Sequence, residues 1–92
     1  MTSIKVTLTL LGRAGDLAGR SRKVYVINLP DEATLRDLLL VVRERISRRL
    51  GEGILCKRLV LAIYVNNTQV SSLNTSLKDG DRVIITTPEM GG

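Results

Sequence analysis

The sequence predicts an α+β domain in which one helix covers one face of a mixed sheet of four or five strands. Three observations lead there. Two runs near the start alternate apolar and polar residues with the period of a strand, and one central segment places its apolar residues at helical spacing. Shorter strand-like runs separated by turn residues then fill the remainder. There are no internal repeats, linkers or low-complexity stretches, and 92 residues with 43% hydrophobic content make one modest core.

Ser3 to Leu11 sets Ile4, Val6, Leu8 and Leu10 on one side and Lys5, Thr7 and Thr9 on the other, as a half-buried strand does. Gly12, Gly15 and Gly19 mark a glycine-rich connection without phosphate-loop spacing. Arg22 to Leu29 resumes strand character through Lys23-Val24-Tyr25-Val26-Ile27, and Pro30 is expected to end it. The two runs read as an antiparallel hairpin.

Thr34 is a good helix N-cap with Asp37 in capping-box position, and Asp31 and Glu32 favour the positive helix end. Leu35, Leu38, Leu39, Val42, Ile46 and Leu50 fall within an arc of roughly 120° at helical repeat. This predicts a single helix from Thr34 to Leu50, with Glu44 and Arg48 as an i,i+4 pair and Gly51 as left-handed terminator. Glu52 to Lys57 reads as a loop and Arg58 to Val65 as a strand with Leu59, Leu61, Ile63 and Val65 on one parity. Asn66-Asn67 signals a tight turn, Thr68-Gln69-Val70 a short return strand, and Ser71 to Leu77 an irregular segment anchored by Leu73 and Leu77. Asp79-Gly80-Asp81 is a turn, Arg82 to Thr87 the last strand, and Pro88 the end of its pairing. The division is a domain over 1–87 and a flexible tail over 88–92.

Composition removes many functions. The chain has no histidine, so imidazole metal sites and histidine-based triads are excluded, and no metal site is expected. Asp79 and Asp81 are turn formers, since two carboxylates without further partners make a poor cation site. Cys56, the sole cysteine, cannot form an internal disulfide and reads as a core or loop thiol. A formal charge of +5 invites a nucleic-acid reading, but only two residues, Tyr25 and Tyr64, are aromatic, which disfavours base stacking. Arg43, Arg45, Arg48 and Arg49 point in several helical directions and suit a solvated surface. No membrane span and no leader are expected, and the expected location is the cytoplasm.

The chain ends Pro88-Glu89-Met90-Gly91-Gly92 behind an apolar run. Two residues without side chains pass through a narrow active site and reach backbone angles barred to others. Five extended residues reach about 15–18 Å. A terminal carboxylate at Gly92 then becomes an electrophile once a partner gives it a leaving group.

Val65-Asn66-Asn67, the run Leu77-Lys78-Asp79-Gly80-Asp81-Arg82-Val83 and the tail from Pro88 to Gly92 resemble the ubiquitin-like β-grasp sulfur carriers. That family includes the molybdopterin synthase small subunit, the thiamin sulfur carrier, the ubiquitin-related modifier and archaeal small modifiers. Glu89 and Met90 depart from the small or apolar residues the family often carries there. The basic residues preceding the diglycine of ubiquitin are missing, which places this chain closer to the sulfur carriers. The resemblance implies a β-grasp fold and a protein that is not an enzyme and binds no cofactor. A ubiquitin-activating-type enzyme would consume ATP to adenylate Gly92, with Pro88, Glu89, Met90 and Gly91 threaded into its site. The implied products are a thiocarboxylate, serving molybdopterin synthesis or tRNA thiolation, or an isopeptide bond to target lysines. Implied partners are that enzyme, a sulfur donor, a molybdopterin synthase large subunit or a tRNA thiolase, and target proteins; alone, the chain is expected to be a monomer. If Val83 and Ile85 face the helix, Ala62, Tyr64, Ile84 and Thr86 form an exposed docking face on the open side of the sheet. The alternative class is a small basic module binding RNA or an acidic protein, with an incidental tail.

Overall fold

The computed structural model describes residues 3–12, 14 and 22–87. Strands β1 (Ser3–Leu11) and β2 (Arg22–Pro30) pair antiparallel along their whole length, from Ser3 opposite Pro30 to Leu11 opposite Arg22. Pro30 is therefore the last paired residue of β2, not the residue beyond it; a strand end tolerates proline. Helices α1 (Leu35–Arg45) and α2 (Arg48–Leu55) follow, and then β3 (Ala62–Val65), β4 (Thr68–Val70) and β5 (Arg82–Thr86). The five strands lie in the order β2-β1-β5-β3-β4, with β5 parallel to β1 and antiparallel to β3. This is a β-grasp arrangement.

The alternation of β1 decides which face is buried. Val6, Leu8 and Leu10 are fully buried, and they meet Leu35, Leu38, Leu39 and Val42 of α1 together with Val83 and Ile85 of β5. Each such side chain contributes about 1.5–3 kcal/mol by leaving water. The start of α1 is fixed as its sequence predicts, with the Thr34 N–H donating to the Asp37 carboxylate at 2.9 Å. Leu35 and Arg36 N–H groups, left over in the first turn, donate to the carbonyls of Thr75 and Leu73.

The single helix predicted from Thr34 to Leu50 is two. The amides of Ile46 and Ser47 both donate to the Val42 carbonyl, and Ser47 then turns extended and accepts from the Leu50 amide at 3.2 Å, capping α2. The apolar arc continues across this break because Leu50 packs into the same core. The break also re-pairs the charges: Glu44 joins Arg43 at 2.9 Å and Arg48 joins Glu52 at 3.3 Å, so the predicted Glu44–Arg48 pair is replaced. Gly51 lies inside α2, and residues 52–55, read as loop, are helical. A Cβ there would lie 2.6 Å from Cα of Arg43, so glycine is what allows α2 to cross α1 closely. The left-handed terminator is Lys57, at φ +60°, with the Arg58 and Leu59 amides returning to the Gly53 carbonyl. Those bonds hold residues 58 and 59 out of the sheet, so β3 begins at Ala62 and not at Arg58.

The remaining turns follow their chemistry. Asn66 and Asn67 carry φ of +50° and +70° in the β3–β4 hairpin, and Gly80 carries +87° in the turn before β5. No helix among the described residues is long and apolar enough to cross a membrane.

Candidate functional site

The site has two parts, the point where the chain leaves β5 and the neighbouring face of the sheet, on which no helix among the described residues packs. Pro88, Glu89, Met90, Gly91 and Gly92 lie outside the described residues, as do Gly15 and Gly19 of the first connection. The exit itself is well defined. Leu10 pairs with Ile85 in the parallel ladder, so β5 ends alongside the end of β1. Gly12, at φ +57°, is so close to Thr87 that a Cβ on it would sit 2.9 Å from Thr87 Oγ1. The tail departs from an exposed Thr87 seated against this glycine turn.

Val83 and Ile85 face the helices, as anticipated, which turns Ile84 outward. Register then assembles the open face in rows. Nearest the exit, Thr86 pairs with Ala62. The next row runs Val24, Thr9, Ile84, Tyr64, Gln69 across all five strands. Beyond it stand Val26, Thr7 and Arg82, and then Asn28 and Lys5. The structure thus brings together the four residues assigned to this face, Ala62, Tyr64, Ile84 and Thr86. One differs from expectation: Ala62 is 4% exposed and offers no accessible surface. It has a single methyl and pairs with the larger Thr86, two residues before Tyr64 on the same face.

Two residues missed by the sequence reading supply the apolar surface instead. Val24 and Val26 of β2 are 53% and 64% exposed and lie in the same rows as Ile84 and Arg82. Their alternation with Tyr25 and Ile27 was the available signal; it requires knowing that β2 is in register with β1. The face is therefore apolar and hydroxyl-bearing near the exit, and basic at its far end through Lys5 and Arg82. Between Arg43 and Arg58, on the helical side, six basic and two acidic residues hold four of the chain's five net positive charges.

The turn leading into β5 is held rigidly. Asp81, the one buried charged residue among those described, accepts from the Lys78 amide at 2.8 Å and from Asn66 Nδ2 at 2.9 Å. Asp79 accepts from the Lys5 amide at 2.8 Å, and the Gly80 amide donates to the Lys5 carbonyl at 2.8 Å. Both aspartates are thus turn formers. No group of histidine, cysteine, aspartate or glutamate among the described residues could hold a metal ion. Cys56 is exposed at the end of α2, away from the sheet face.

Comparison with known proteins places this geometry. A family model described as the ThiS family matches residues 8–92. The protein described as molybdopterin converting factor subunit 1 from Pyrococcus furiosus is 32% identical, covers 94% of this chain and 99% of its own, and superposes with a TM-score of 0.71. Small archaeal modifier protein 1 of Methanosarcina acetivorans, 20% identical with full coverage of both chains and a TM-score of 0.70, shares the fold. So does a complex of subunits 1 and 2 of molybdopterin-converting factor from Helicobacter pylori, at 24% identity, 97% and 100% coverage and a TM-score of 0.59. No curated protein sequence matches.

Proposed function

The chain belongs to the ThiS family of ubiquitin-like sulfur carriers, and on that premise we propose that Gly92 is its one chemical centre and that the domain exists to present it. The observation that carries this reading is the family match running through the diglycine of a tail that leaves β5 beside an uncovered sheet face. The Gly92 carboxylate attacks the α-phosphorus of ATP in the site of a separate adenylating enzyme, forming an acyl-adenylate and releasing pyrophosphate. A donor persulfide attacks the carbonyl and expels AMP, and a second thiol cleaves the resulting acyl disulfide to leave the thiocarboxylate. A lysine amine attacking the same carbonyl gives an isopeptide bond instead. The catalytic groups belong to the partners; this chain supplies the electrophile.

The outward rows around Ile84, Tyr64, Thr86, Val24 and Val26 are the docking surface in this reading. Apolar contact beside the exit fixes the body of the carrier while the tail enters the partner's site. The Helicobacter pylori complex supports a molybdopterin-converting factor subunit 2 as one partner. The adenylating enzyme, the sulfur donor, a tRNA thiolase and target lysines are the others proposed.

Intact-mass analysis of the protein from its native cells tests the proposal. Replacement of one oxygen by sulfur at Gly92 establishes the carrier role, and Gly-Gly remnants on lysines of other proteins establish conjugation. Finding neither under sulfur-demanding conditions overturns both.

A further inference from the structure

Glu89 and Met90 are the two tail residues to which the chemistry of Gly92 gives no part. Register says which way they travel. Thr86 pairs with Ala62 and β3 runs antiparallel to β5, so the chain leaving Thr87 heads past the start of β3, toward residues 57–61. The five residues after Thr87 reach about 15–18 Å, enough to run the length of that segment. A shallow groove opens there, walled by Ile54, Leu59, Val60, Leu61, Val70 and Leu73. Its volume is about 290 Å³, just below the range of small-molecule pockets, which leaves room for one or two side chains. Val60 is 81% exposed, the most of any large hydrophobic residue among those described. The one charged lining residue is Lys57, and Arg58 stands exposed beside it. No acidic residue occurs between Glu52, which is paired with Arg48, and Asp79.

We propose that this groove is the resting dock of the chain's own tail, with Met90 seated against Leu59, Val60 and Val70 and the Glu89 carboxylate drawn by Lys57 and Arg58. Methionine is unbranched and turns about three bonds, so it fills a shallow, irregular groove that a branched side chain would not. The acidic residue before it meets the two cations of a rim that holds no anion of its own. Charge at such exposed positions contributes little by itself. The tether supplies the rest, since a link this short holds Met90 at an effective concentration on the order of millimolar. The role of the dock presupposes that Gly92 is the reactive end, which it holds back against the body until a partner draws the tail out. A tail docked about nine-tenths of the time lowers the apparent affinity of a tail-binding partner about tenfold.

Backbone relaxation of the isotope-labelled full chain tests the dock. The amides of Glu89, Met90 and Gly91 should have order parameters well above the value of about 0.6 that marks a flexible chain. Met90→Ser should drop them below it and shift the amides of residues 57–61 and 69–73. Val60→Asp, a change at an exposed position, should give the same loss of order with the thermal midpoint unchanged. Tail amides below about 0.6 in the unsubstituted chain, or Met90→Ser shifts confined to Thr7, Thr9 and Ile84, would overturn the proposal. Order that fades on dilution would overturn it in favour of the tail of a second copy. No enzyme takes part in these measurements. A loose tail therefore sinks the dock and leaves the activation of Gly92 standing, while a failed adenylation assay with an ordered tail does the reverse.

Discussion

Asn66 and Asp81 hold each other at the end of neighbouring strands β3 and β5, Asn66 Nδ2 donating to the Asp81 carboxylate at 2.9 Å while Asn66 Oδ1 accepts from the Arg82 backbone N–H at 2.9 Å. This pair joins the β3–β4 hairpin to the turn that delivers β5. Replacing Asp81 by Ala leaves Asn66 Nδ2 and the Lys78 amide without their partner. Asp81→Ala is expected to cost about 1–3 kcal/mol in urea unfolding. Asp81→Asn, which keeps one acceptor, should cost less.

Gly51 and Gly53 lie in one helix but differ in what a methyl would strike. At Gly51 it meets the backbone and Cβ of Arg43 at 2.6 Å; at Gly53 it meets the Leu59 side chain, Cδ1 at 2.4 Å and Cγ at 2.6 Å. Gly51→Ala should destabilise by about 1–3 kcal/mol, and Gly53→Ala by clearly less, in equilibrium denaturation. Equal costs would show that α1 and α2 do not need their close crossing.

Lys57 closes α2 in a left-handed conformation that glycine adopts without strain. Lys57→Gly should raise stability by about 0.5–1 kcal/mol, visible as a higher thermal midpoint.

Changes on the open face separate docking from folding. Ile84→Asp and Val26→Asp place a carboxylate on accessible surface and should weaken binding to the adenylating enzyme or subunit 2 by about tenfold or more with little change in thermal midpoint. Ala62→Asp would instead push a charge into a buried position and lower the midpoint itself. Calorimetric binding together with thermal melting distinguishes the two effects.

Deleting Gly91 and Gly92 should abolish adenylation and thiocarboxylate formation while leaving unfolding unchanged. An adenylation assay and a melting curve on one preparation check both halves.

The strands were legible because one face of each meets the core, so alternation records their orientation. The helix was harder to read. Leu50 continues the apolar arc of α1 while belonging to a different helix, so periodicity runs smoothly through a break that Ser47 makes by capping. Gly51 looked like a terminator because glycine has the same composition signal whether it supplies a left-handed angle or a close approach. Leu59 and Leu61 kept the parity of β3 without pairing, since the bonds from Arg58 and Leu59 to Gly53 detain that segment at the helix end. The open face was partly legible from the parity of Ile84. Val24 and Val26 needed the register of β2 with β1 and that of β1 with β5, a strand far away in sequence.

The parallel pairing of β1 with β5 has a consequence for when this molecule becomes competent. The centre of the sheet is made from the first and last strands of the described fold, a contact of high sequence separation that forms slowly and cannot form on a partly synthesised chain. Everything from Ser3 to Lys78 can leave the ribosome and still lack the strand that joins β1 to β3. The tail follows that strand directly. If Gly92 is activated as proposed, it therefore meets a finished sheet face only after the last strand has inserted, and a nascent or misfolded chain offers the proposed activating partner no such face to hold.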